Sequence, residues 1–210
     1  MPGEFEGRVA LVTGAGDADG LGFAHARYLA ERGARIVLND YGGGTLGLPE
    51  QGVDSSVAEA AAQRLRDLGG EAIASAGDVG EAQTALDMVA TALDTWGRID
   101  IVVNNAGIAS AQFFPDIDEA DMQRHVRVTL LGCLHTARAA WPHFVKQGRG
   151  RIVNTGSPAC FGNEIASYAS TKAGLFGLTR TAAIFGEPHD IRVNLLLPAA
   201  WSRLTSLLPD

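Results

Sequence analysis

Cysteine is scarce in this sequence, with two residues among 210: Cys133 in an apolar helical stretch and Cys160 in a loop. Their spacing suggests no disulfide framework. The five histidines, His25, His125, His135, His143 and His189, are scattered. None forms H-x-x-x-H or a local cluster with cysteine or carboxylate, so no metal site is expected. No run approaches the roughly 18 uncharged apolar residues of a membrane span. The opening Met-Pro-Gly-Glu-Phe-Glu is acidic with no apolar stretch behind it, which points to a soluble, unsecreted, cytoplasmic protein. Basic runs are missing too, and the formal net charge is −7. Nucleic acid and anionic membranes are therefore poor partners, and a small-molecule substrate is expected. Low-complexity segments and a second-domain linker are also lacking. What is there is a chain with 46% hydrophobic residues, ample for a full core, read as a single domain over residues 1–210.

Short apolar runs alternate with amphipathic stretches. Strands are expected near 8–13, 34–39, 71–76, 99–104, 150–155 and 190–196, with helices near 21–32, 54–69, 81–96, 118–147 and 166–187. Strict alternation implies right-handed crossovers. The fold class is therefore α/β, a doubly wound parallel sheet (Rossmann-like) with helices on both faces.

The run Arg8-Val-Ala-Leu-Val-Thr13 ends in Gly14-Ala-Gly16 and then Gly20-Leu-Gly22, with a helix opening at Leu21. A buried strand, a glycine-rich turn and a helix start form the entry of a dinucleotide-binding βαβ unit, where backbone N–H groups and the helix dipole face a pyrophosphate. A second apolar strand, Gly33-Ala-Arg-Ile-Val-Leu-Asn-Asp40, ends in an acid at the distance a ribose-binding carboxylate requires. Asp40 can accept from both ribose hydroxyls, whereas a 2′-phosphate would meet like charge, so NAD is favoured over NADP. The long glycine-rich connection from Tyr41 to Asp54 lies where the adenosine end of a cofactor would emerge.

Tyr168 and Lys172 stand one helical turn apart in Ser167-Tyr-Ala-Ser-Thr-Lys-Ala-Gly174. Positions i and i+4 share a face, so the ammonium is expected beside the phenol, favouring its ionised form. Lowering a tyrosine from about 10 to near 7 needs roughly 4 kcal/mol. A cation about 4 Å away at an effective dielectric of about 20 supplies about that much.

Together these residues resemble the short-chain dehydrogenase/reductase family from Gly7 to about Arg203. The landmarks stand in order: Thr13-Gly14 with the glycine turn, Asp40, Asp78-Val79, Asn104-Asn-Ala-Gly107, Arg151-Ile-Val-Asn-Thr-Gly-Ser157, Tyr168 with Lys172, and Ile191-Arg-Val-Asn194 leading to Pro198. Gly7-Arg-Val-Ala-Leu-Val-Thr13, Leu38-Asn-Asp-Tyr-Gly-Gly43, Ala139-Ala-Trp-Pro142 and Ser202-Arg203 are similar to the hydroxyacyl-CoA dehydrogenase part of type 2 peroxisomal multifunctional enzymes. The resemblance implies an oxidoreductase that moves hydride between NAD(H) and a secondary alcohol or ketone, with a hydroxyacyl or other apolar substrate. In that reading Tyr168 is the acid/base, and Lys172 lowers its pKa and holds the nicotinamide ribose. Ser157 binds the substrate oxygen, and Thr129 stands at the proton-relay position. Gly14, Gly16, Gly20, Leu21, Gly22, Asp40, Asp78, Val79, Asn105, Ala106, Gly107, Tyr168, Lys172 and Pro198 would surround the cofactor. The resemblance also implies a homodimer or homotetramer through the long helices 118–147 and 166–187.

The chain departs from the family pattern in several places. The glycine turn is two residues longer and carries Asp17 and Asp19, expected to point outward, with Asp19 capping the helix. Ser157 aligns with the catalytic serine by strand position, while Thr155 has the usual spacing from Tyr168, so both stay open. Thr129 replaces the relay asparagine; it can hydrogen-bond a water or its own helix backbone. After Pro198, Ala199 replaces a common glycine and Trp201 offers an apolar wall. The chain stops at Asp210, on the order of forty residues early for a domain of this class. The alternative function is a catalytically silent nucleotide-binding or assembly protein of the same fold.

Overall fold

The computed structural model describes residues 3–43, 52–110 and 112–199. Most of the Tyr41 to Asp54 connection, and Trp201, Ser202 and Arg203, lie outside the described residues. Six strands form one parallel sheet in the order β3-β2-β1-β4-β5-β6. They are β1 (Val9–Val12), β2 (Arg35–Leu38), β3 (Glu71–Ala74), β4 (Ile101–Asn104), β5 (Gly150–Thr155) and β6 (Ile191–Leu196). This is the doubly wound order, whose direction reverses between β1 and β4, so a crevice opens at their carboxyl ends.

Alternating side chains divide the core into two layers. Leu11, Val37, Val102 and Ile152 pack on one face with Met88 and Val89 of α3 (Ala82–Trp96) and Ala140 and Phe144 of α5 (Gly132–Gln147). Ala10, Val12, Ile36 and Leu38 pack on the other with Phe23 and Ala26 of α1 (Leu21–Ala30) and Ala58, Ala62 and Leu65 of α2 (Ser55–Asp67). Both faces are covered, which is why the strands read as unbroken apolar runs. Among the described residues no helix is long and apolar enough to cross a membrane.

The expected helix 118–147 is instead three pieces: α4 (Glu119–His125), a π-helical turn at Val126–Leu131, and α5. Apolar periodicity runs through all three, so the wider turn leaves no mark in the pattern; such turns are frequent at functional sites. The last long helix, α6 (Ala166–Gly186), lies where expected.

Two polar features tie the layers together. A directional ladder runs through the core: Thr136 Oγ1 donates to Asn104 Oδ1 at 2.6 Å, Asn104 Nδ2 to Asn154 Oδ1 at 2.9 Å, and Asn154 Nδ2 to Thr179 Oγ1 at 2.9 Å. It links α5, β4, β5 and α6. At the opposite end of the sheet Asp100, 2% exposed, accepts from Arg8 at 3.0 Å, from Arg98 at 2.8 and 2.6 Å, and from the Val9 N–H at 3.0 Å. Burial pushes this carboxyl up, but the donors together outweigh burial and hold it below its ordinary value. A depressed folded pKa contributes stability above the unfolded value, lost as pH falls through the folded one. Asp100→Asn should therefore cost about 3 kcal/mol at neutral pH. Urea unfolding should show the gap to the parent narrowing towards pH 3, the acid end of carboxylate titration.

Candidate active site

The glycine-rich turn after β1 packs directly on the turn after β4. Gly14 has φ +62°, and a Cβ there would lie 2.7 Å from the Ala106 Cα, so both room and backbone conformation require glycine. At Gly22 a Cβ would collide with the Gly14 carbonyl and with Asn105 Nδ2. That same Nδ2 donates to the carbonyls of Thr13 at 3.1 Å and Gly14 at 2.9 Å, while Thr13 Oγ1 accepts from the N–H groups of Asn105 and Ala106, each at 3.1 Å. Asp40, just past β2, accepts from the Gly16 N–H at 2.7 Å and the Gly42 N–H at 2.8 Å. Asp78 accepts from the Gly80 N–H at 2.8 Å and from Arg127 at 3.1 Å.

These elements enclose a cleft holding a cavity of about 160 Å³ at the β1/β4 crevice. Gly14, Gly20, Leu21, Asp40, Asp78, Val79, Asn105, Ala106 and Gly107 line it, as do Asp17, Tyr41, Arg124, Arg127 and Val128. Gly16 and Gly22 lie behind this wall, bonded to Asp40 and packed on Gly14 respectively. Arg124 and Arg127 belong to no glycine or strand motif; their only sequence mark is a spacing of one helical turn.

Beyond Gly107 lie two buried polar side chains. A Cβ on Gly107 would lie 3.5 Å from Lys172 Nζ and 3.8 Å from Thr129 Oγ1, so both polar groups face the same bend. Thr129 is fully buried in the π-helical turn, and its Oγ1 has no hydrogen-bond partner among the described residues. Lys172, 4% exposed, donates to the Thr155 carbonyl at 2.6 Å. Its Nζ is 5.5 Å from the centre of the Tyr168 ring, and the Ser157 hydroxyl lies near enough to the Tyr168 phenol to act on its pKa. Ser157 also accepts from the Ala159 N–H at 3.2 Å, beginning the short 3₁₀ turn Pro158–Phe161. The Thr155 hydroxyl is buried without a partner among the described residues. Of the two open hydroxyls, the fold brings Ser157 to Tyr168.

The short chain dehydrogenase family model matches residues 8–207. The chain belongs to the short chain dehydrogenase family. It is 44% identical over 212 residues to the peroxisomal multifunctional enzyme type 2 of Mus musculus, covering 100% of this chain and 28% of that protein. The chain thus spans little more than a quarter of that relative's length. It is 40% identical over 212 residues to a short-chain type dehydrogenase/reductase of Mycobacterium tuberculosis, covering 100% of this chain and 72% of the other. A crystal structure of a short chain dehydrogenase from Mycobacterium avium superposes with a TM-score of 0.84 at 34% identity, over 94% of this chain and 72% of that one.

Family membership brings a nicotinamide dinucleotide of the NAD(P) type as cofactor. The residues present fit one: the glycine wall leaves backbone bare, a carboxylate stands at the end of β2, and a buried hydroxyl lies unpartnered beyond Gly107.

Four expectations need correction. Asp19 does not cap α1: the N-cap is Gly20, with no side-chain cap bond, and the Asp19 N–H instead donates to Asp17 Oδ1 at 3.1 Å. Asp17 does not point away either, because it lines the cleft; the two extra residues fold into a tight local turn that carries it inward. The third concerns electrostatics. Burial is the largest influence on Tyr168 and raises its phenol above the ordinary value, with the Ser157 hydrogen bond only partly opposing. Lys172 does stand on the same face, but burial pulls its own pKa down to about 8. Desolvation, invisible to a spacing argument, outweighs the expected pairing. The reading of Thr129 as a helix residue bonded to its own backbone also fails, since its hydroxyl makes no such bond.

Cys133, buried in α5, has its thiol pushed up to about 12 by burial, which makes it a core residue. Among the described residues no group of three or more His, Cys, Asp or Glu is placed to hold a metal ion.

Proposed function

We propose that this chain is an NAD-dependent oxidoreductase that moves hydride between a secondary alcohol and its ketone, with a hydroxyacyl or other apolar alcohol as substrate. The observation that carries the reading is the meeting of the Tyr168 hydroxyl with Ser157 beside a buried Lys172, past the end of a dinucleotide cleft. The nicotinamide, when bound, supplies the hydride acceptor or donor. Tyr168 takes or gives the hydroxyl proton. Ser157 donates to the substrate oxygen as charge develops on it. Lys172, oriented by the Thr155 carbonyl, holds the nicotinamide ribose, and Thr129 relays protons through a water beside it. Gly14, Gly16, Gly20, Leu21 and Gly22 take the pyrophosphate, Asp78 and Val79 the adenine, Asn105, Ala106 and Gly107 the adenosine ribose, and Pro198 the nicotinamide end. Asp40 selects NAD, since a 2′-phosphate would meet its charge.

Phe176, Ile184 and Phe185 are exposed on α6, which supports a homodimer or homotetramer through this helix. Two free cysteines fit a reducing compartment such as the cytoplasm. A catalytically silent nucleotide-binding or assembly role is the second reading, favoured by Asp17 in the cleft wall and by the raised phenol.

Titration with NADH, followed by assay against a panel of hydroxyacyl thioesters and apolar secondary alcohols, separates the two. Binding with oxidation is expected; binding without oxidation of any alcohol supports the second reading, and no binding removes both. Within the active panel, Ser157→Ala should lower kcat by about 10²-fold. The isosteric Thr155→Val should change it by less than about threefold, because it replaces an unbonded hydroxyl. An equal loss in Thr155→Val would transfer the role to Thr155.

A further inference from the structure

A carboxylate with no part in the proposed chemistry lies fully buried beside it. Asp121 in α4 is 0% exposed. Its Oδ2 accepts from Ser110 Oγ at 3.0 Å and from Ser167 Oγ at 2.8 Å, and its Oδ1 accepts from Arg124 Nη2 at 2.7 Å. Its own N–H donates to Asp118 Oδ1 at 2.6 Å, anchoring the start of α4. His125, also fully buried, places Nδ1 3.0 Å from the Asp121 carbonyl and 3.3 Å from Oδ2.

The two hydroxyls come from different parts of the fold. Ser110 ends the segment that leaves the Asn104 to Gly107 turn on the cofactor side. Ser167 is in the first turn of α6, immediately before Tyr168. The N-cap of that helix, Ile165, supplies no capping side chain, so its first turn needs another anchor. Burial alone would push the Asp121 carboxyl up, yet the hydroxyls and the guanidinium outweigh it and hold it ionised.

We propose that Asp121 is the positioning residue for Tyr168: through Ser167 it fixes the first turn of α6, and through Ser110 it locks that turn to the loop leaving the cofactor cleft. This rests on the reading of Tyr168 as acid/base. One carboxylate oxygen serves both hydroxyls, so a shift of either element breaks a bond, and a catalytic group misplaced by about 1 Å costs on the order of 10²-fold. Asp121→Asn keeps the shape but turns an NH₂ against a hydroxyl or the guanidinium, while Ser167→Ala removes one arm only.

The test is steady-state kinetics on Asp121→Asn, Ser167→Ala and the double variant, with NADH affinity read separately by fluorescence. Each single variant should lower kcat by about ten- to a hundredfold, with the alcohol KM and the NADH Kd within about twofold of the parent. The double variant should be no worse than the poorer single one, because both break the same link. Asp121→Asn with kcat within twofold overturns the proposal, as do losses that multiply in the double variant or an NADH Kd that weakens in step with kcat. Should Asp121→Asn fail to fold, Ser167→Ala alone decides by its kcat against its Kd. Tyr168→Phe assayed alongside separates the failures: turnover retained there removes the proposed function, whereas a dead Tyr168→Phe with an unaffected Ser167→Ala sinks only the positioning role.

Discussion

Tyr168→Phe is expected to lower turnover by about 10²- to 10⁴-fold, the range lost with a general acid/base, while the NADH Kd stays within about twofold of the parent. The substitution removes one oxygen. The ring that faces Lys172 at 5.5 Å remains, and so does the Lys172 bond to the Thr155 carbonyl, so the ammonium proposed to hold the ribose is undisturbed. What is lost is the hydroxyl proposed to carry the proton. Alcohol oxidation and NADH fluorescence on the same preparation give both numbers. Retained turnover would mean that another group moves the proton, and the catalytic reading would fall with it. Because burial raises the phenol and brings Lys172 to about 8 in the free protein, the ammonium is lost above about pH 8 while the phenol is still protonated. A limb near pH 8 in kcat/KM should therefore disappear in Lys172→Met and persist as a weaker trace in Tyr168→Phe.

Asp40→Ala should weaken NADH binding by on the order of 10²-fold, the expected loss of the two charge-assisted hydrogen bonds proposed between its carboxylate and the ribose hydroxyls. Its carboxylate also holds the Gly16 and Gly42 N–H groups at 2.7 and 2.8 Å, so the glycine turn slackens as well. Discrimination is the more telling measure. Removing the negative charge should narrow the gap between NADH and NADPH affinities, read by parallel titrations, because the like-charge penalty on a 2′-phosphate disappears. Equal affinities in the parent would overturn the assignment of NAD.

The crevice and its glycine wall were legible because they obey local rules. An apolar run, closely spaced glycines and an acid at the end of the next strand are each fixed by neighbours in the sequence, and the fold gathers them at the β1/β4 reversal. Strand alternation likewise pointed to a doubly wound parallel sheet, which the fold has. Lysine proximity was legible from a spacing of four, but the sign of its effect was not, since that depends on how much water the fold strips from both groups. Asp17 was misplaced because a turn that bonds to itself leaves no periodic mark. Sequence spacing alone could not choose between Ser157 and Thr155, because which hydroxyl approaches Tyr168 depends on the path of the loop between β5 and α6. Asp121 escaped notice for a different reason: its partners Ser110 and Ser167 are 11 and 46 positions away, and no motif records a bond that only tertiary folding creates.

The ladder from Thr136 through Asn104 and Asn154 to Thr179 bears on how this scaffold can be re-engineered. Each amide is donor on one side and acceptor on the other, so the chain of bonds has a polarity and cannot be shortened by one member without stranding its neighbours. Attempts to reshape specificity therefore have freedom in the loops beyond β4 and β5, but those four positions must be exchanged as a set, with apolar groups of matching volume, or left alone.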